Sequence, residues 1–150
     1  MIGNLALATL MVGLTVIIHF AGLLGLMWVL RARGHRFRAH ESAIGQGAAI
    51  VFVVLGLVAI LTIEIWLYGM VYLSLGALPD FESALYFSTT SFTTIGYGDI
   101  VLEKNWRLFG AVEGANGLLL FGWSTAFLIA VTARMRILEH DWLEHPDSRR

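Results

Sequence analysis

The chain has 150 residues, 57% of them hydrophobic and only 14% charged, against about 25% charged in an ordinary soluble domain. Ten basic and eleven acidic side chains leave it near neutrality, which excludes the strongly basic face that nucleic-acid binding requires. It contains no cysteine, so disulfides, thiolate metal sites and cysteine nucleophiles are excluded as well.

From Ile2 to Leu30 there is no Asp, Glu, Lys or Arg, and His19 is the only titratable side chain. A membrane-spanning helix needs roughly 20 mainly apolar residues, so this run is expected to span. It lacks the basic start of a secretory signal, and its apolar stretch is too long for one. Ala21 and Gly25 form a small-xxx-small pair suited to helix contact, with His19 expected as a helix-contact residue. There are no repeated arginines, so a packing helix is expected here and not a voltage sensor. The connector from Arg31 to Arg38 then holds four arginines.

A second apolar run, Ala43 to Gly76, carries one acid, Glu64; a third, Leu108 to Ala133, carries one acid, Glu113. Arg134 and Arg136 follow the third run directly. Basic flanks are retained in the cytoplasm, which puts the connector and the C-terminus inside and the N-terminus outside. The segment from Leu78 to Arg107 is then outside, and its acids Asp80, Glu82, Asp99 and Glu103 outnumber Lys104 and Arg107.

Between the second and third runs, Leu78-Pro79-Asp80 reads as a helix start with Asp80 as cap and Glu82 in the first turn. About twelve helical residues rise only ~18 Å, too little to cross a hydrocarbon core of ~30 Å. Irregular backbone at membrane depth is tolerated only where protein buries it or a watery cavity lines it. A re-entrant loop is therefore expected, a pore helix over 80–92 followed by TTIGYGD at 93–99. Turning successive carbonyls toward one axis requires backbone conformations that only glycine visits cheaply, and Gly96 and Gly98 stand at alternate positions. The resulting oxygen column, completed by the Thr94 hydroxyl, suits a large monovalent cation stripped of its water. A phosphate loop would need a following Lys-Ser/Thr and a preceding strand, and neither is present.

Thr94-Ile95-Gly96-Tyr97-Gly98-Asp99 resembles the selectivity filter of the potassium channel family, usually Thr-Val-Gly-Tyr-Gly-Asp, with Ile95 in place of valine. The resemblance covers roughly residues 43–135. It implies an all-α membrane protein with an outer helix over 43–76, a pore helix over 80–92, a filter over 94–98 and an inner helix over 107–133. Residues 1–42 are an added N-terminal helix with its connector, and 136–150 a short cytoplasmic tail. The resemblance further implies a homotetramer in the bilayer, since one chain supplies one of four filter strands. K+ would be held by Thr94, Ile95, Gly96 and Tyr97, with Gly98 completing the coordinating backbone.

The same resemblance assigns supporting residues. Tyr86 stands where the family often has tryptophan, eight residues before the filter threonine; its hydroxyl either bonds Asp99 and braces the filter mouth or simply sits in a packed aromatic cuff. Thr90 stands where some members bury a glutamate, so a carboxyl behind the filter would have to be built differently. Cavity-facing positions carry over as Leu119, Gly122, Ala126 and Ala130. From Leu119, Glu113 lies about 120° around the helix, facing the pore helix or a neighbour and not the ion path. Glu113 and Glu64 are both expected to brace the pore helix from within their spans. The family's glycine hinge falls at Leu118, flanked by Gly114, Gly117 and Gly122, which serve bending or close helix contact.

The expected function is a potassium-selective channel in the cell membrane, with K+ as permeant ion, no cofactor and no catalytic constellation. The tail, MRILEHDWLEHPDSRR, is too short for a ligand-binding regulator and is expected to form a short interfacial helix anchored by Trp142. A weakly selective cation pore and a non-conducting subunit of a larger partner remain as alternatives.

Overall fold

The computed structural model describes residues 2–34 and 43–134, and its regular structure is all helical, with no β-sheet among the described residues. Four helices follow in order: α1 (Ile2–Gly34), α2 (Ala43–Ser74), α3 (Phe81–Phe92) and α4 (Arg107–Arg134). Segments within α1, α2 and α4 are long and apolar enough to cross a membrane: Gly3–Ala32, Gly45–Ser74 and Arg107–Arg134. The expected tail over 136–150 lies outside the described residues.

The helix ends follow from local chemistry. α2 stops at Ser74, short of the expected Gly76, because Gly76 takes φ +63° and reverses the chain. The Ala77 amide then bonds the Tyr72 carbonyl (3.0 Å) and the Gly76 amide bonds Leu73 (3.1 Å), closing the end as a Schellman motif. Asp80 is itself the cap of α3: its carboxylate accepts the Ser83 amide at 2.8 Å and the Ser83 hydroxyl at 2.9 Å, so helical residues begin at Phe81.

Short α3 packs between α2 and α4, while α1 packs on α2 and α4 and makes no contact with α3. One core, around α3, gathers Tyr68, Tyr72, Ala84, Phe92, Phe109 and Leu120. Tyr72 meets Phe87 and Phe109 edge-on at ring separations of 5.2 and 5.3 Å, a geometry aromatic rings favour. A second core, of Leu23, Leu26, Val53, Leu57 and Ile60, joins α1 to α2. The close approach there is made by Gly22 against Ile60 and Gly56 against Leu26, not by the expected pair: Ala21 and Gly25 are exposed, and a Cβ at Gly25 would meet nothing within 4 Å. Asn4 at the start of α1 donates to the Asn105 carbonyl at 2.6 Å, so the N-terminus of α1 and the loop entering α4 share one end of the molecule.

Candidate functional site

Helix α3 delivers the chain to residues 94–99. Its C-cap, Thr93, bonds back to Thr89, and the Thr94 amide bonds the Ser91 carbonyl at 3.0 Å. The backbone beyond then alternates: Thr94, Gly96 and Gly98 take φ +61°, +52° and +77°. Ile95, Tyr97 and every other residue from Thr94 to Asp99 are exposed on the single chain. Left-handed φ at every second residue turns what would be alternating carbonyls toward one side. Glycine at two of these positions was legible from the sequence. The left-handed conformation of Thr94 was not; for a β-branched residue it is rare and points to a functional constraint.

Three ties hold this strand. The Gly96 amide donates to the Thr90 carbonyl at 3.0 Å. The Tyr86 hydroxyl donates to Asp99 Oδ2 at 2.7 Å, and Asp99 Oδ1 takes the Ile100 amide at 3.1 Å. The Tyr86 hydrogen bond holds the Asp99 carboxyl below its ordinary range and pushes the Tyr86 phenol up. Asp80, at the far end of α3, is likewise held low, first by the Ser83 amide and then by its hydroxyl. Thr90 contributes through its backbone, since its hydroxyl returns to the Phe87 carbonyl (3.0 Å) and gives the strand no side-chain contact.

Behind α3 the two intramembrane acids part company. Glu113 accepts the Ser88 hydroxyl at 2.6 Å and the Tyr72 hydroxyl at 2.5 Å, joining α3, α2 and α4 in one buried knot. Glu64 was expected to do the same and does not. Its Oε1 meets His19 Nδ1 at 3.1 Å, both residues fully buried, so it faces α1. Glu64 lies two turns before Tyr72 along α2, at the level where α2 meets His19 of α1.

The α4 glycines divide by face. A Cβ on Gly117 would sit 2.0 Å from the Phe92 carbonyl oxygen, and one on Gly114 would lie 3.2 Å from that of Ser91. These two let α4 touch the end of α3. Gly122 meets nothing within 4 Å, and with Leu119, Ala126 and Ala130 it lies on an exposed face of α4.

Sequence reasoning passed over Thr15, Tyr68, Asn116 and Ser124. Asn116 Nδ2 bonds Thr15 at 2.8 Å and Tyr68 at 3.3 Å, and Ser124 lies 3.3 Å from His19 Nε2. A signal was present: Thr15 and His19, and Glu64, Tyr68 and Tyr72, recur every fourth residue in otherwise apolar runs, which marks one helix face.

A family model described as an ion channel matches residues 60–134, half of the chain, from within α2 to the last residue of α4. The chain belongs to this ion channel family. No curated protein and no solved structure matches it. The matched stretch of the channel contains α3, the 94–99 strand, Glu64, Glu113 and the exposed α4 face, whereas α1 lies outside it.

Proposed function

We propose that this channel is potassium-selective and works as a homotetramer in the cell membrane, with four 94–98 strands lining one throat. The observation that carries this reading is the left-handed φ at Thr94, Gly96 and Gly98, which aims backbone oxygens to one side of an exposed strand. Alone, one strand surrounds nothing. Four copies would close a ring of carbonyls able to replace the water shell of K+. Thr94, Ile95, Gly96, Tyr97 and Gly98 supply those oxygens, and Asp99 and Tyr86 hold the mouth of the strand.

The exposed α4 face supports the same arrangement. Leu119 is 61% exposed beside Gly122, Ala126 and Ala130, which would line an inner cavity. The carbonyl end of α3 carries the negative end of the helix dipole, favourable to a cation waiting there. The basic connector and Arg134 orient the N-terminus outward and the C-terminus to the cytoplasm.

A less selective cation pore is the second reading. Thr90 favours it, because its hydroxyl stays with its own helix and leaves the strand without a side-chain tie at that position. Reversal potentials of the purified, reconstituted chain in opposed K+ and Na+ gradients separate the two. A reversal potential near the K+ equilibrium value is expected. Near-equal permeability would defeat potassium selectivity, no flux from the chain alone would defeat a self-sufficient channel, and flux unaltered by Gly96→Ala and Tyr97→Ala would defeat the assigned filter.

A further inference from the structure

Thr94 holds φ +61°, a conformation that a β-branched residue keeps only where its surroundings over-determine it. The ties at this end of the strand are backbone bonds to the end of α3: the Thr94 amide to Ser91 and the Gly96 amide to Thr90. What fixes the strand here is therefore whatever fixes the end of α3, whose last residue is the fully buried Phe92. The Phe92 ring packs on Tyr68 of α2 and Phe121 of α4, each at a ring separation of 6.1 Å, and its carbonyl rests against Gly117 of α4. Asn116, the neighbour of Gly117, closes the arrangement from behind. Its Nδ2 donates to the Tyr68 hydroxyl at 3.3 Å and to the Thr15 hydroxyl of α1 at 2.8 Å. The Thr15 hydroxyl itself donates to the Met11 carbonyl at 2.9 Å, which leaves its lone pairs turned to the amide. All three side chains are buried, Thr15 and Tyr68 fully.

We propose that Asn116 is a positioning residue for the filter, and that α1, acting through Thr15, helps to keep the filter selective. The inference rests on the potassium-filter reading of residues 94–98. α1 makes no contact with α3, so its hold on the filter passes through α2 and α4. One amide on α4 grips α1 and α2 together, and Tyr68 and Gly117, which it bonds and adjoins, are the residues that press on Phe92. Without the Thr15 bond, a buried amide proton is left unpaired, and the amide turns in search of another acceptor. The Tyr68 hydroxyl then loses its fixed partner, Phe92 loses its fixed neighbour, and the strained Thr94, two residues on, relaxes with its carbonyl off the axis. The contacts of Glu113 with Ser88 and of Gly114 with Ser91 do not involve α1, so α3 stays docked on α4. The loss is one of selectivity, with the fold retained.

Reversal potentials of the reconstituted full chain in K+ and Na+ gradients test this, each variant taken from its assembled fraction in size exclusion. Thr15→Val removes the hydroxyl and keeps the shape; the K+/Na+ permeability ratio should fall about threefold to tenfold, the factor that one net hydrogen bond can transmit. Thr15→Ser keeps the hydroxyl and should restore the parent ratio. Gly22→Ala presses on Ile60 elsewhere in the α1 seam, away from Asn116, and should leave the ratio unchanged. Where Thr15→Val does not assemble, Tyr68→Phe removes the other partner of the same amide and should give the same fall. A selective parent whose ratio survives these variants, even with a lowered melting midpoint, would make the Asn116 contacts merely structural and overturn the proposal while sparing the filter reading. An equal fall in Gly22→Ala would assign the effect to α1 docking in general and overturn it too. Near-equal permeability in the parent would overturn the filter reading and this inference together.

Discussion

Ser88 on α3 lies 2.6 Å from Glu113 on α4, and this contact anchors the short helix to the span that follows it. The opposite carboxylate oxygen takes Tyr72 of α2 at 2.5 Å. Ser88 has a second acceptor in the Ile65 carbonyl at 2.9 Å, whereas Tyr72 has none besides Glu113 among its hydrogen bonds.

That asymmetry sets the first expectation. Glu113→Leu should cost stability mainly through the orphaned Tyr72 hydroxyl, about 1–3 kcal/mol for a buried group left unpaired. Ser88 falls back on Ile65. The double variant Glu113→Leu/Tyr72→Phe should therefore melt higher than Glu113→Leu alone, as thermal unfolding in detergent will show. A simple sum of the two losses would mean that the tyrosine hydroxyl is satisfied elsewhere.

His19 and Glu64 give the second. Removing one partner of a buried hydrogen bond leaves the other unsatisfied at about 1–3 kcal/mol, while replacing both by apolar groups of similar shape is often nearly neutral. His19→Ala should lower the melting midpoint sharply, and His19→Leu/Glu64→Met should recover most of it. Similar losses in both variants would show that packing at His19, and not the pair, secures α1.

The third concerns Gly117. Its added methyl would press on the Phe92 carbonyl, which is backbone and cannot swing away. Overpacking of this kind costs about 1–3 kcal/mol, so Gly117→Ala should reduce the yield of folded channel in size-exclusion profiles. Gly122→Ala meets open space and should leave that yield unchanged.

Tyr86 and Asp99 predict a pH dependence. Asp99 is held low, so its contribution is present above the ordinary carboxylate value of ~3.9 and is lost as pH falls through the lowered one. Tyr86 is pushed up, so its contribution is present below the ordinary phenol value of ~10 and is lost as pH rises through the raised one. Between these limits current through the channel should not vary on account of this pair. In Tyr86→Phe the acid limb should move to higher pH, toward the ordinary carboxylate range. Carbon NMR titration of the Asp99 carboxyl measures this shift, and an unmoved midpoint would remove Tyr86 as its cause.

The long helices and the short α3 were readable from the chain because their causes are local. An apolar run of spanning length, an Asp cap at Asp80 and glycines at Gly96 and Gly98 each act within a few residues of themselves. The Tyr86–Asp99 contact came from a resemblance that already carries three-dimensional information. Glu64 shows where such reading stopped. Two acids in apolar spans looked alike in sequence, and only the packed helices separated them: Glu113 meets Ser88 of α3, and Glu64 meets His19 of α1. Thr15 and Asn116, 101 residues apart, were likewise invisible as a pair until the helices were packed.

The amino-acid order by itself determined which segments leave water and where the backbone departs from a helix, since transfer into lipid and positive φ are properties of short stretches. Tertiary structure alone decided that α1 docks through His19 and Thr15, and that α4 meets α3 through Gly114 and Gly117. α1 and α2 are apolar all round, so hydrophobicity gives them no preferred face. Their few buried polar groups, which must find one another away from water, select it.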